Sequence, residues 1–309
     1  MTAVLAALVP IFALIAMGFA MRRYGPYGDG FWLPLERLNY FVLFPALLVT
    51  GMARAEIAEV ELWPMAAALA GAVLALAGGL YAARGRLGVA GPASAALFQG
   101  AIRPNTYVAL AAAASLYDSP GLTLAAVAIA VVIPLVNVLS VVALSAHGAQ
   151  VHGPGTAAPG REAALQIARN PIILACALGI ALNLSGVMLP AVGEEFLGLL
   201  GRAALPLGLL CVGAGLDLPA VRASGPTAAA SSALKLLVLP GLTAFLCWLL
   251  GVHGATASVA VLFNGCPASA ASYILTRQLG GDHRLMAGII ALQTLLAALT
   301  LPLLMLPRY

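Results

Sequence analysis

Residues 91–115 read GPASAALFQGAIRPNTYVALAAAAS, and residues 255–278 read ATASVAVLFNGCPASAASYILTRQ. Each stretch is apolar enough and long enough to cross a bilayer, for which a helix needs about 20 residues. Each is interrupted near its centre. The first carries Arg103, Pro104, Asn105 and Thr106 there, the second Asn264, Gly265, Cys266, Pro267 and Ser269. Proline deletes an intrahelical hydrogen bond and crowds the preceding turn. In hydrocarbon, unpaired backbone survives only where protein buries it or it lines a watery cavity. The two stretches therefore predict a pair of broken helices meeting inside a membrane protein.

The rest of the chain agrees with that setting. Of its 309 residues 62% are apolar and only 8% charged, and the mean hydropathy is +1.02. Soluble domains carry about 25% charged residues. Apolar runs separated by charged or Gly/Pro-rich breaks predict ten helices, at 3–21, 35–52, 62–82, 92–115, 121–145, 165–187, 196–215, 226–250, 255–277 and 284–306. The expected class is all-α integral membrane. Residues 1–21 lack the basic start of a signal peptide, and Arg22 and Arg23 follow the apolar run; a retained first span is expected. The net charge of +4 comes from residues scattered over loops rather than from a nucleic-acid-binding patch.

The chain also echoes itself. Pro10 and Pro171 are 161 residues apart, as are Pro45 and Pro206; Pro64 and Pro226 are 162 apart, and Pro104 and Pro267 are 163 apart. The longest polar stretch, 146–163, falls between the halves. This predicts a first five-helix repeat at 1–145, a cytoplasmic linker at 146–163 and a second repeat at 164–309. An odd number of spans per repeat inverts the second against the first, a common plan of secondary transporters. Of the 15 basic residues, ten fall in the loops of one face, two (Arg54 and Arg308) on the other, and three (Arg103, Arg202 and Lys235) within spans. Because cytoplasmic loops collect Lys and Arg, both termini are expected outside the cytoplasm of a cell (inner) membrane.

Broken helices carry chemistry. Beyond each break a second half-helix starts, with proline suited to its first position, and its free N–H groups and positive dipole end face the protein centre. Two such ends make a site for a carboxylate. Arg103 adds a permanent charge, and Asn105, Thr106, Asn264 and Ser269 add neutral hydrogen-bonding groups; Pro104, Gly265 and Pro267 form the breaks. Lys235, midway along a span, has three open readings: balancing an anion, coupling to protons, or reaching toward the interface. Gln99 and Gln293 read as interhelical hydrogen bonds. All eleven acidic residues are expected in loops or at helix ends. The four cysteines, Cys176, Cys211, Cys247 and Cys266, lie in apolar runs without metal-ligand spacing. No metal, cofactor or catalytic residue is expected.

On these residues the chain resembles the auxin efflux carrier family, in particular its bacterial malonate-transporter-like branch. The stretches that carry the likeness are QGAIRPNTYVALA at 99–111, NPIILACALGIALNLSGVMLP at 170–190, and NGCPASAASYILTRQLGGDHRLMAGIIALQTLLAALTLPLL at 264–304. The resemblance implies crossed broken helices 4 and 9, an elevator-like alternating-access cycle, and transport of small carboxylates such as malonate, malate or an auxin-like acid. Sodium-coupled bile acid transporters share the fold, but their acidic sodium ligands have no match at 264–269. The expected function is thus a secondary transporter of a small organic anion, not an enzyme, with the lipid bilayer as its surroundings, no nucleic-acid partner, and a homodimer left open. The alternative is a sodium-coupled transporter like the bile acid symporters, and behind it a channel or an intramembrane enzyme.

Overall fold

The computed structural model of the chain describes residues 2–54, 62–85, 88–89, 91–147, 170–187, 189–278 and 280–306. Every regular element among them is helical. Helix α1 is Thr2–Tyr24. A second apolar rod joins α2, Asp29–Leu38, through a π-helical turn at Asn39–Leu43 to α3, Phe44–Ala53. Then come α4, Leu62–Ala83, α5, Gly91–Ile102, and α6, Thr106–His147. The second half holds α7, Pro171–Ser185, α8, Ala191–Ala214, and the short α9, Leu218–Ala223. Next, α10, Gly225–Ala233, runs through a π-helical turn at Leu234–Val238 into α11, Leu239–Leu249. The chain ends with α12, Gly254–Gly265, α13, Ala270–Gln278, and α14, His283–Leu304.

The ends of these helices follow local chemistry. Asn170, Asp217 and Asp282 each accept a hydrogen bond from a backbone N–H of the first helical turn that follows, which satisfies a donor the helix itself cannot pair. Gly186 closes α7 with a left-handed φ of 66°, a conformation glycine adopts at little cost. α6 is two helices joined at Asp118, whose φ of 50° and ψ of −136° are not helical.

Among the described residues seven helical segments are long and apolar enough to cross a membrane, and the bent pair α12–α13 makes an eighth. One of the seven, Gly91–Ala143, runs for 53 residues and contains both the first break and Asp118; Pro171–Ser185 is a shorter apolar helix. Large apolar side chains such as Trp63, Leu184, Val192 and Trp248 face outward, which suits lipid and not water. The chain is a multi-pass membrane protein.

Helix boundaries differ from the expected ones at three places. The second rod starts at Asp29 instead of 35, because α2 runs through Pro34. α8 starts at Ala191 instead of 196 and takes Glu194 and Glu195 into its first turns, where Glu195 accepts from exposed Arg202 at 2.9 Å. The expected linker, 146–163, begins inside α6, and its residues 148–163 lie outside the described residues.

The helices pack as two groups. α1, α3, α7 and α8 pack on one another. Small residues set their close approach: a Cβ on Gly213 would lie 1.8 Å from Ile15 O, and one on Gly18 2.1 Å from Leu210 O. Such small-residue contacts are the usual way membrane helices pack. The second group is α4, α5, α6 and α9 to α14. Within it, Gly100 gives room to Ser231 and Ile289, and Gly288 to Ser224.

Candidate functional site

Both breaks occur where the sequence placed them, and they touch. α5 ends at Ile102 and α6 begins at Thr106. α12 ends at Gly265 and α13 begins at Ala270, the two inclined by 44°. Across the gap the Asn105 N–H donates to Pro267 O at 2.7 Å, so each break supplies a partner that the other lacks.

The prolines do not open the second half-helices, contrary to expectation. Pro104 stands two residues ahead of Thr106 and Pro267 three ahead of Ala270. Proline instead biases its predecessor toward extended backbone, and Cys266, at φ −68° and ψ 148°, adopts it. Capping falls to the next polar residue. Asn105 Oδ1 accepts from Tyr107 N at 3.1 Å and Val108 N at 3.3 Å. Ser269 Oγ accepts from Ala271 N at 3.2 Å. The two breaks thus have the same local plan: proline, then a capping side chain, then a helix.

Two buried glutamines hold the breaks in register. Gln293 Oε1 accepts from Ala268 N at 2.8 Å, and its Nε2 donates to Gly100 O at 3.1 Å. Its amide therefore serves backbone groups on both sides of the crossing. Gln99 Nε2 donates to Thr276 Oγ1 at 2.7 Å, and Gln99 Oε1 accepts from Arg103 Nη1 at 3.2 Å.

A cavity of about 460 Å³ opens beside the crossing. One wall is Arg103, Pro104, Asn105, Thr106 and Tyr107 together with Ile133 and Asn137 of α6 and Ser269, Ala270, Ala271 and Leu275 from the second break. The opposite wall is Glu36, Tyr40 and Phe41 of the second rod, Asn170, Pro171 and Ile172 at the start of α7, and Cys211 and Val212 of α8. The first wall belongs to the second helix group; the opposite wall comes from the start of α7, from α8, and from α2 and its π-helical turn, which pack on α8. Tyr107 reaches over the seam and packs edge-on against Phe44, with ring centroids 4.8 Å apart. Among the described residues no carboxylate is paired with Arg103.

Of the residues singled out in the sequence, Arg103, Pro104, Asn105, Thr106 and Ser269 line this cavity. Asn264, Gly265, Pro267 and Lys235 do not. Asn264 is fully buried, and its Nδ2 donates to Thr243 Oγ1 at 2.9 Å and Leu69 O at 3.4 Å. Lys235, also fully buried, donates to Asn264 O at 2.9 Å. Glu36 is the charged wall residue that the sequence did not single out. With the helix expected from 35, Glu36 sat at its end; with α2 starting at Asp29, it lies about two turns inside. Tyr40, Tyr107, Asn137 and Cys211 carry no signal in the sequence beyond their polarity within apolar runs.

Among the described residues no three His, Cys, Asp or Glu side chains converge as a metal site would require. The cavity offers instead one guanidinium, two capped half-helix N-termini, several neutral polar groups and one carboxyl on the far wall.

The family model described as membrane transport protein matches residues 3–305. An uncharacterized transporter of Methanothermobacter thermautotrophicus (strain Delta H) is 25% identical over 296 residues, covering 95% of this chain and 94% of the relative. The match runs over nearly the whole chain, and the chain belongs to the membrane transport protein family, that of the auxin efflux carriers.

Proposed function

We propose that the chain is a secondary carrier of a small organic anion that binds its substrate carboxylate between Arg103 and the two half-helix N-termini. The observation that carries this reading is the position of Arg103. It stands on one wall of a cavity between two helix groups, beside both breaks and without a paired carboxylate among the described residues. A guanidinium can bind a carboxylate through two parallel hydrogen bonds, and helix N-termini favour anions. Thr106 and Ser269 line the same wall and supply hydroxyls to the ligand. Asn105 and Asn264 act indirectly, Asn105 by capping and Asn264 by holding the second break. The substrates of choice are mono- or dicarboxylates of the malonate and malate class or an auxin-like acid, which 460 Å³ accommodates.

The carrier has ten spans in this reading. A straight 53-residue helix would reach about 80 Å, far beyond a hydrocarbon core of about 30 Å, so Gly91–Ala143 counts as two spans divided near Asp118. Adding the bent pair and Pro171–Ser185 brings the total to ten. Residues 1–145 and 164–309 are then inverted repeats around a cytoplasmic linker, with both termini outside the cytoplasm of the cell membrane. The matching plan of the two breaks supports this. The helix groups on either side of the cavity move against each other to expose it alternately, and no covalent chemistry is involved.

The test is a melting-temperature screen of the purified protein against a panel of carboxylates, followed by uptake into liposomes. A ligand of the folded state raises apparent stability with its concentration. At least one carboxylate is expected to raise Tm and to be taken up saturably. Arg103→Ala is expected to abolish both effects with the protein still folded. Arg103→Lys restores them only in part, because lysine lacks the planar fork. Normal binding and uptake by Arg103→Ala would move the site elsewhere.

A further inference from the structure

Lys235 is fully buried, away from the cavity, and among the described residues no carboxylate pairs with it. Its one hydrogen bond there runs from Nζ to Asn264 O, at 2.9 Å. A buried ammonium without a counter-charge is costly, and charge within a membrane span marks function by default. Asn264 is the penultimate residue of α12. The last carbonyls of a helix have no intrahelical donor and carry its negative dipole end. The same asparagine side chain brings further oxygen to this end of the helix. Asn264 Oδ1 is buried and accepts no hydrogen bond among the described residues. Thr243 Oγ1 lies against the same side chain, 2.9 Å from Asn264 Nδ2. Carbonyl, amide and hydroxyl oxygens at an interrupted helix are the donor set for a small hard cation.

The backbone of the neighbouring span departs from the α-helix at this contact. Lys235 sits in the π-helical turn Leu234–Val238, and single π turns inside α-helices re-aim side chains at functional places. At the first break the cation, Arg103, instead lines the cavity, and a carbonyl in the last turn of α5, that of Gly100, is served by the neutral amide of Gln293.

We propose that the Lys235 ammonium is a tethered cation, occupying with the chain's own charge the oxygen-lined position at the second break that a free alkali cation would otherwise fill. The negative dipole end of α12 is then met without drawing an ion from solution. Its consequence for the cycle, a transport step that needs no sodium, rests on the carrier reading; its occupancy does not.

The test uses no substrate. Purified protein is melted in sodium chloride, in methylammonium chloride and in choline chloride at one ionic strength, choline being too large for the position. The wild-type Tm is expected to be the same in all three salts. Lys235→Ala opens the position, so its Tm should fall in choline and rise by at least about 2 °C in sodium or methylammonium. Lys235→Met, which fills the space without charge, should lose stability and show no such rise. If Lys235→Ala collapses on extraction in choline, extraction in sodium or methylammonium chloride should return a monodisperse protein. A wild-type Tm that sodium raises over choline would overturn the proposal. So would a Lys235→Ala protein that neither cation stabilises or recovers. A chain that moved no carboxylate at all would still give one of these answers, so failure here and failure of the carrier reading are distinct.

Discussion

Glu36 and Arg103 face one cavity with opposite charges and without an ion pair between them. An anionic ligand is attracted to one and repelled by the other. Glu36→Gln removes the repulsion at nearly constant volume. It is expected to tighten binding of whichever carboxylate stabilises the wild type, by roughly 1 kcal/mol, the repulsion of two unit charges about 4 Å apart screened as in water. A Tm titration of wild type and variant reads this out, and weaker binding by Glu36→Gln would mean that the carboxyl contacts the ligand favourably. The residue scale is also where the sequence was least legible. Arg103 announced itself, because a cation inside an apolar run has few innocent explanations. Glu36 did not, because its depth depends on where a helix begins, and α2 begins at Asp29 instead of at 35. Asn264 looked like a ligand group, but its side chain turns to Thr243 and Leu69; polarity within a span does not say which way the side chain points.

The breaks as elements were legible from proline and polar residues at matching places in two apolar runs. What the sequence did not reveal is the hydrogen bonding that keeps them open. Asn105 caps α6, the Asn105 N–H donates to Pro267 O, and Gln293 serves Ala268 N and Gly100 O. These are contacts between residues as many as 193 positions apart, which no local pattern encodes. Gln293→Leu keeps the volume and removes both amide bonds, leaving a buried N–H and a buried carbonyl unpaired. The expected loss is about 1–3 kcal/mol for each group so stranded, seen as a lower Tm with uptake reduced. Asn105→Ala removes a cap alone, for about 1 kcal/mol. The order of the two losses is the test: a larger loss from Asn105→Ala would mean that the capped end, not the glutamine bridge, holds the crossing.

At the scale of the whole molecule, the packing groups do not follow the sequence halves. The group of α1, α3, α7 and α8 takes two spans from each half, and the remaining spans of both halves form the other. Hydropathy could not reveal this, since a helix face against lipid and one against another helix are equally apolar. If the groups move against each other, joining them should stop transport while joining helices within one group should not. Gly51 of α3 meets Leu122 of α6 across the seam, where a Cβ on Gly51 would lie 2.9 Å from Leu122 Cδ2. Leu47 of α3 meets Gly201 of α8 inside one group, with an added Cβ 3.4 Å from Leu47 Cβ, close to the spacing of a disulfide. Both cysteine pairs are made in a background with Cys176, Cys211, Cys247 and Cys266 replaced by alanine. Oxidation of Gly51→Cys with Leu122→Cys is expected to cut uptake at least about tenfold, equivalent to 1.4 kcal/mol on the rate, and reduction should restore it. Oxidation of Leu47→Cys with Gly201→Cys should leave uptake within about twofold, or 0.4 kcal/mol on the same scale. Full uptake with the seam cross-linked would show that the cavity changes access without relative motion of the two groups, and the carrier would have to gate within one of them.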